Sequence, residues 1–185
     1  MTLTDTVVAG YDLAELLQYL VDTSVDLLDA AAAGLVLTDR DGHLNTLAAT
    51  SENTDRLEAI QIRTGRGPCI DCYETGEPQS ITDLAAAADR WPQFAALALD
   101  QGIRSMHAVP MRLRDRIIGA LNLFRTTPGE LAEPHRRAAQ ALADAATIGI
   151  LQHRDAQDTA ELDAQLEPAL SSHAGVSPLL WTRRD

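Results

Sequence analysis

Residues 65 to 125 decide the fold of this chain. They contain three segments, GRGPCIDCYETGEPQSITD (65–83), RWPQFAALALDQGIRSMHAVPM (90–111) and RIIGALNLFR (116–125). Pro68 fixes φ for the first turn of a helix, and Gly76 can adopt the left-handed conformation that ends one. The stretch is therefore predicted to open with a two-turn helix, PCIDCYET.

A short strand, a second helix and a hairpin are predicted to follow. In GEPQSIT a turn precedes a short strand, with Pro78 at the first strand position, where a missing N–H is tolerated. Trp91 and Pro92 start a helix that Gly102 ends. The apolar runs SMHAVPM and RIIGALNLF have strand length and are joined by a charged tip, a pattern typical of a β-hairpin.

The chain before this stretch predicts a helix that packs against a sheet or another helix. Leucine and valine recur at helical spacing in YDLAELLQYLVDTSVDLLDA and form one apolar stripe. The polar face carries Asp12, Glu15, Asp22 and Asp26. Because a membrane-surface helix favours basic residues on its polar face, these acidic residues indicate packing inside the protein.

A hairpin and a further helix are predicted between the first helix and residue 65. Two strands, GLVLTD and HLNTLAAT, flank a tight turn in which Gly42 supplies the positive φ. The helix SENTDRLEAIQI is predicted to be capped by Ser51 or Thr54 and to bury Leu57 and Ile60.

The last predicted helix is rich in alanine. It starts at Pro134, and its larger contacts are expected to be Leu142, Ile148 and Leu151. Leucines continue an apolar line beyond residue 160, but Pro168 is expected to interrupt any continuous helix there.

Composition and charge limit the class of protein. With 185 residues, of which 45% are hydrophobic and 4% aromatic, the chain suits one compact domain. A net charge of −12 opposes nucleic-acid binding, which depends on basic groups. The sequence shows no uninterrupted apolar run of membrane-spanning length and no signal-peptide pattern at its start, so we expect a cytoplasmic protein without membrane contact. Two cysteines three residues apart also fit a reducing compartment.

Five segments in one order carry a family resemblance. The order G-x-G-P-C, T-G-E-P-x-x-I-x-D, W-P-x-F, I-R-S-x-x-x-V-P-M and I-G-A-L-N-L-F resembles the GAF domains of actinobacterial GAF-ANTAR regulators. The resemblance implies an α+β, GAF-like and PAS-related fold with a central antiparallel sheet of five or six strands. The N- and C-terminal helices would lie on one face of the sheet. Short helices and loops would cover a ligand pocket on the other face.

The resemblance also divides the chain into a sensor domain, 1–155, and a C-terminal helical extension and tail, 156–185. In the family an RNA-binding ANTAR module of three helices would begin near QLEPALSSHAGV. The residues that remain are too few to build a three-helix core, because each ordered residue costs on the order of 1.5 kcal/mol that burial must offset. The tail is therefore interpreted as a truncated or degenerate ANTAR-like start, and RNA binding is not expected.

The function implied by the resemblance is that of a non-catalytic small-molecule sensor in a transcriptional regulator. Ligand occupancy would change the packing of the terminal helices within a homodimer. The identity of the ligand is not predicted. Family placement gives seven candidate pocket residues: Cys69, Cys72, Tyr73, Trp91, Phe94, Arg104 and His107.

Each candidate has a packing or surface alternative. Trp91 can simply anchor the start of a helix, and Arg104 can pair with a surface carboxylate at little gain in stability. A histidine in an apolar strand, such as His107, is typical of a satisfied core residue.

The spacing of Cys69 and Cys72 makes them a candidate redox pair. A helix N-terminus favours a thiolate at Cys69, and C-x-x-C spacing permits a local disulfide. A metal site would need further ligands, and His43 and His107 are distant in sequence, so no metal is predicted. Packing of two small side chains in a core is the simplest alternative.

Two other functions compete with the sensor hypothesis. Free methionine sulfoxide reductase, a GAF-fold enzyme, resembles this chain in having a cysteine after a Gly-x-Gly turn. That family has a further cysteine shortly before the strand corresponding to SMHAVPM, whereas this chain has none after Cys72. One thiol could still resolve a sulfenate formed at the other. The third hypothesis is a partner that dimerises with intact relatives and binds no ligand.

Overall fold

The computed structural model describes residues 13–180, with side chains as far as residue 168. Asp12, which the sequence places on the polar face of the first helix, lies outside the described residues. The elements in chain order are α1 (Leu13–Leu27), β1 (Ala32–Thr38), β2 (Leu44–Ala49), α2 (Glu52–Thr64), α3 (Pro68–Thr75), β3 (Gln79–Ile81), α4 (Pro92–Asp100), β4 (Ser105–Leu113), β5 (Arg116–Arg125) and α5 (Glu133–Leu180).

The strands form one five-stranded antiparallel sheet in the order β2-β1-β5-β4-β3. Both predicted hairpins, β1 with β2 and β4 with β5, are present. The predicted α+β fold with a central antiparallel sheet is therefore confirmed.

Local signals in the sequence mark the ends of the helices. The Ser51 hydroxyl accepts a hydrogen bond from the Thr54 N–H at 3.1 Å and so caps α2. Pro68 occupies the first turn of α3, and Gly76 ends it with a φ of 70°. Both predictions for the short helix are confirmed.

The two faces of the sheet carry different side chains because neighbouring residues of a strand point to opposite sides. The face that we call the front is covered by α2, α3 and α4. Its buried cluster includes Val36 from β1, Met106 and Ala108 from β4, and Ala120 and Phe124 from β5. On the other side, Leu35, Leu121 and Val109 lie side by side across β1, β5 and β4. Helix α1 contacts β1 and β2.

The chain divides into two compact units between Ile148 and Gly149. The first unit contains the sheet. Within it Ala139 and Ala143 of α5 are fully buried, whereas Ile148, expected to make a large contact, is exposed.

In the second unit the chain stays helical through Pro168, so the prediction that this proline interrupts the helix was wrong. Leucine, glutamate, glutamine and alanine flank the proline, and such good helix formers confine its cost to one turn. The side chains of residues 155–168 are all exposed.

Candidate functional site

The structure brings four of the seven predicted pocket residues together. Cys69, Cys72, Trp91 and Phe94 are buried members of the front cluster. Tyr73 is half-buried on α3. The front face, where a cavity was expected, is covered by the side chains of this cluster.

A small cleft reaches the cluster at its edge. It has a volume of about 120 Å³ and is lined by six residues: Thr64, Arg66, Trp91, Pro92, Gln93 and Phe94. The Arg90 guanidinium lies 4.1 Å from the centre of the Trp91 ring, and Arg90 also pairs with Asp71 at 3.5 Å. Trp91 directly precedes α4, which agrees with its interpretation as the anchor of that helix.

Arg104 lies away from the front cluster, at the surface. Its guanidinium pairs with the Asp83 carboxylate at an N···O distance of 3.9 Å, and both side chains are more than 40% exposed. An exposed pair at this distance contributes little to stability.

His107 points to the face opposite Cys69. It stands between Met106 and Ala108, which both belong to the front cluster, so strand alternation turns His107 to the other side. Its Nδ1 lies 2.6 Å from the Ser80 hydroxyl of the neighbouring strand. Burial, reinforced by the nearby Arg136, lowers the pKa of His107 to about 4 against the opposing effect of Glu130, so the ring is neutral at pH 7.

The front face also holds a polar cluster that was not predicted from the sequence. Glu58 of α2 and Asn122 of β5 are fully buried. The Asn122 amide donates from Nδ2 to Glu58 Oε1 at 3.0 Å and to Oε2 at 2.9 Å. Gln61, also fully buried, donates from Nε2 to Glu58 Oε2 at 3.4 Å. The Gln61 Oε1 accepts from the Cys69 N–H at 2.9 Å, which connects α3 to the cluster.

Two glycines make room for these side chains. Gly34 lies directly opposite Asn122 in the pairing of β1 with β5. A Cβ at position 34 would collide with the Glu58 carboxyl, and a Cβ at Gly67 would collide with the Gln61 amide. The absence of both side chains therefore lets α2 bring its polar groups against the sheet and α3.

Burial dominates the electrostatics of the cluster. It raises the pKa of the Glu58 carboxyl to about 8, opposed by the Asn122 hydrogen bond and aided by the charge of Asp55. Burial likewise raises the pKa of the Cys69 thiol, and Glu58 raises it further against the effect of Asn122. Burial and Glu77 raise the pKa of Cys72 to about 12. Glu58 and both thiols are therefore mainly protonated at pH 7.

One polar atom of the cluster has no hydrogen-bond partner. The Oδ1 of Asn122 is buried and unpaired. Buried acceptors without partners are uncommon, so each needs an explanation.

Signals for three of these residues were present in the sequence. Asn122 interrupts the apolar run GALNLF, and a polar residue in the middle of a buried strand must find a partner. Glu58 stands four residues after Thr54, and Gln61 stands four residues after Leu57, so both lie on the face that α2 buries.

A group of three potential metal ligands lies on the surface. Asp39, Asp41 and His43 are exposed in the turn between β1 and β2. The Asp39 carboxylate accepts hydrogen bonds at 2.9 Å from the N–H groups of Asp41 and His43. Such hydrogen bonds are typical of a tight turn, and they explain why these three side chains lie close together.

Comparison with protein families identifies the fold. Residues 10–151 match the family described as GAF domain. The chain belongs to the GAF domain family. A comparison with curated proteins gives no significant match.

Several solved structures share this GAF fold at low sequence identity. A domain assigned to a two-component sensor histidine kinase protein from Sinorhizobium meliloti 1021 has a TM-score of 0.65 and 16% identity, over 78% of this chain and 94% of the other. The GAF domain of the cyanobacteriochrome TePixJ has a TM-score of 0.63 and 18% identity, over 80% and 94%. The type II free methionine-R-sulfoxide reductase from Thermoplasma acidophilum has a TM-score of 0.60 and 17% identity, over 77% and 97%. At these identities the likeness concerns the fold alone.

Between residues 13 and 180, no helix combines the length and the apolar character that crossing a membrane requires.

Proposed function

We propose that this GAF domain is a non-catalytic sensor whose small-molecule ligand engages the cluster of Glu58 and Asn122 on the front face. GAF domains are in general sensor and signalling domains that bind small molecules. The observation that supports this particular site is the fully buried Glu58 carboxyl, bound by the Asn122 amide, beside the unpaired Asn122 Oδ1.

Stability alone does not account for this cluster. Burying a carboxyl and an amide costs free energy, and apolar residues of similar size at positions 58 and 122 would avoid that cost. The arrangement also requires a glycine at position 34, because a Cβ there would collide with the Glu58 carboxyl. A strongly perturbed titratable group at such a position is a candidate functional group.

Access to the cluster in this proposal begins at the cleft beside Trp91 and Phe94. Both residues line the cleft and belong to the buried front cluster. Because Gln61 binds the Cys69 N–H, a ligand that separates α2 from the sheet also disturbs α3. Movement of the helices that cover the front face is then the first structural consequence of binding.

The output in this proposal is the pairing of terminal helices in a homodimer. Leu162 and Leu166 of α5 are 55% and 46% exposed and stand one turn apart on one side of the helix. A helix exposed on all sides is marginal in water, so we propose that a second copy of the chain covers these leucines. A role in transcription regulation and a cytoplasmic location belong to the same proposal.

A thiol enzyme of the methionine sulfoxide reductase type is the competing function. It needs an accessible thiolate, whereas Cys69 is fully buried and its thiol pKa is raised. The deciding assay couples reduction of free methionine sulfoxide to NADPH oxidation through thioredoxin. Turnover that disappears in the Cys69→Ser variant would overturn the sensor proposal.

The proposed site is tested by thermal-shift screening with cyclic nucleotides, heme, fatty acids and amino-acid derivatives. A ligand present at 100 times its Kd should add about 2.7 kcal/mol to the free energy of unfolding. We expect the Glu58→Gln variant to weaken binding of such a ligand tenfold or more. The matched control is Glu52→Gln, because Glu52 is exposed on the same helix. Equal binding by wild type and Glu58→Gln would exclude the cluster as the site.

A further inference from the structure

A groove of about 410 Å³ lies outside the front cluster. It is formed where the C-terminal end of α3, the hairpin of β4 and β5, and the first part of α5 meet. The lining residues that could hold a ligand are Glu77, Arg112, Arg114, Gln140 and Asp144. The volume lies within the range of small-molecule sites.

The Arg112 guanidinium is held in one position. Its Nε donates to the Arg114 carbonyl at 2.7 Å, and its Nη1 donates to the Gly76 carbonyl at 3.3 Å. A Cβ at Gly76 would lie 2.7 Å from Ile117 Cδ1 and 3.2 Å from Arg112 Nη1, so the lack of a side chain there permits this close approach. These two bonds leave the second N–H of Nη1 and both N–H groups of Nη2 as donors of the fixed cation.

Arg114 adopts a backbone conformation that arginine rarely takes. Its φ is 55°, in the left-handed region, where a residue with a side chain pays roughly 1–2 kcal/mol. Glycine or asparagine at this turn would avoid most of that strain. An arginine in a strained position suggests that its side chain has a use.

Neither guanidinium has an ion-pair partner among the side chains that the structure describes. Arginines that do form ion pairs there include Arg90, Arg104, Arg125 and Arg136. Both side chains, Arg112 and Arg114, are exposed on the hairpin of β4 and β5. Their charges are available to an anionic group of a ligand.

The same groove also carries two carboxylates. Gln140 donates from Nε2 to Asp144 Oδ1 at 2.9 Å and to the Pro110 carbonyl at 3.1 Å, which holds Asp144 in place. Glu77 follows Gly76 at the end of α3. The lining therefore has two positive and two negative side chains, an arrangement that would repel a simple anion from one part of the groove.

We propose that this groove binds a small zwitterion of the amino-acid class. Arg112 and Arg114 hold the carboxylate of the ligand, and Glu77 and Asp144 hold its ammonium group. None of these residues belongs to the Glu58 and Asn122 cluster, so the inference does not depend on the proposed function. Because Gln140 and Asp144 lie on α5, a bound zwitterion would join that helix to α3 and the hairpin.

The test is a titration of the full chain, followed by the backbone ¹H–¹⁵N NMR signals of Gly76 and Arg114. The probes are the twenty common amino acids, each added separately to about 20 times the millimolar Kd expected of a weak ligand. Propionate and ethylammonium are the two half-ligands. We expect saturable shifts with at least one amino acid and much weaker ones with either half-ligand.

Two variants connect the shifts to the groove. Arg114→Asn should lower the affinity at least tenfold and leave the midpoint of urea unfolding equal or higher, because asparagine tolerates the left-handed conformation. The matched control, Arg116→Asn on the same hairpin, should leave the affinity unchanged. If Arg114 had only a structural role, the Arg114→Asn variant would change the stability of the protein and leave its affinity for the amino acid unchanged.

Three results would overturn the inference: no saturable shift with any amino acid, equal affinity for propionate, or unchanged affinity in Arg114→Asn. Glu58→Gln should leave this titration unaltered. Failure at the groove is therefore distinguishable from failure of the front-face site.

Discussion

Asn122 Nδ2 lies 3.0 Å from one carboxyl oxygen of Glu58 and 2.9 Å from the other, although 64 residues separate the two in sequence. The pair joins the central strand β5 to the helix α2 that covers it. Since the contact is fully buried, its protonation state is coupled to the stability of the fold.

The contribution of Glu58 to the stability of the protein should fall as pH rises from about 4.5 to about 8, because the pKa of Glu58 is raised from 4.5 to about 8 on folding. The folded state binds the Glu58 proton more tightly than the unfolded state does. The stabilising contribution of Glu58 is therefore complete below about pH 4.5 and is lost as the pH rises to about 8. The lowered pKa of His107 acts in the opposite direction between about pH 4 and 6.5, so the net stability should fall mainly between pH 6.5 and 8. The expected loss from Glu58 is on the order of 4 kcal/mol by pH 8. The difference between wild type and Glu58→Gln in urea unfolding at pH 5, 6.5 and 8 measures it.

The Glu58→Gln variant should lack this component of the pH dependence. Glu52→Gln, which removes an exposed carboxyl from the same helix, should retain it. If wild type and Glu58→Gln showed parallel pH profiles, the raised pKa of Glu58 would be refuted.

Gly34→Ala should destabilise the protein by about 1–3 kcal/mol, because its Cβ would collide with the Glu58 carboxyl. The loss should be smaller when Glu58 is also replaced by alanine, and a double-mutant cycle from urea unfolding gives the coupling. Gly149→Ala is the control, since no atom beyond its chain neighbours and the adjoining backbone of its own helix lies within 4 Å of its added Cβ, and alanine favours a helix. Additive effects of Gly34→Ala and Glu58→Ala would contradict the contact.

Much of the fold was predictable because local chemistry determines it. Pro68 and Gly76 fix the ends of α3 whatever surrounds them, and the two strands around the β4–β5 turn are apolar runs of the right length. The continuation of the α5 helix through Pro168 was not predictable in this way, because the helix propensities of the neighbouring residues outweighed the effect of one proline.

The candidate site was less predictable because it depends on the register between distant strands. Glu58 is one of many acidic residues on a helix, and only the pairing of Gly34 with Asn122 creates the space that it enters. The position of His107 followed from strand alternation, since Met106 and Ala108 face the front. Family placement grouped His107 with Cys69 without regard to that alternation.

Both thiols should react slowly with iodoacetamide in the native protein at pH 8, because Cys69 and Cys72 are buried and the pKa of each thiol is raised. Unfolding in urea should make both react at the rate of an ordinary cysteine. The measurement is the mass of the protein against time. Rapid labelling of Cys69 without urea would favour the thiol enzyme instead.

Leu162→Glu should weaken dimerisation, because it places a charge among the exposed leucines proposed to pair with a second copy. Ala164→Glu adds the same charge on another side of the helix, since two residues rotate its direction by about 200°. Sedimentation over a range of concentrations should show a larger Kd for Leu162→Glu alone. A wild-type chain that is monomeric throughout would contradict pairing of the helices.

Native mass spectrometry of freshly purified protein tests the central proposal, a ligand held at Glu58 and Asn122, most directly. The proposal predicts that wild type carries a small molecule that collisional activation releases, and that Glu58→Gln, purified in the same way, carries less than about a tenth as much. Equal occupancy in the two proteins, or wild type at the bare mass of its chain, would contradict it.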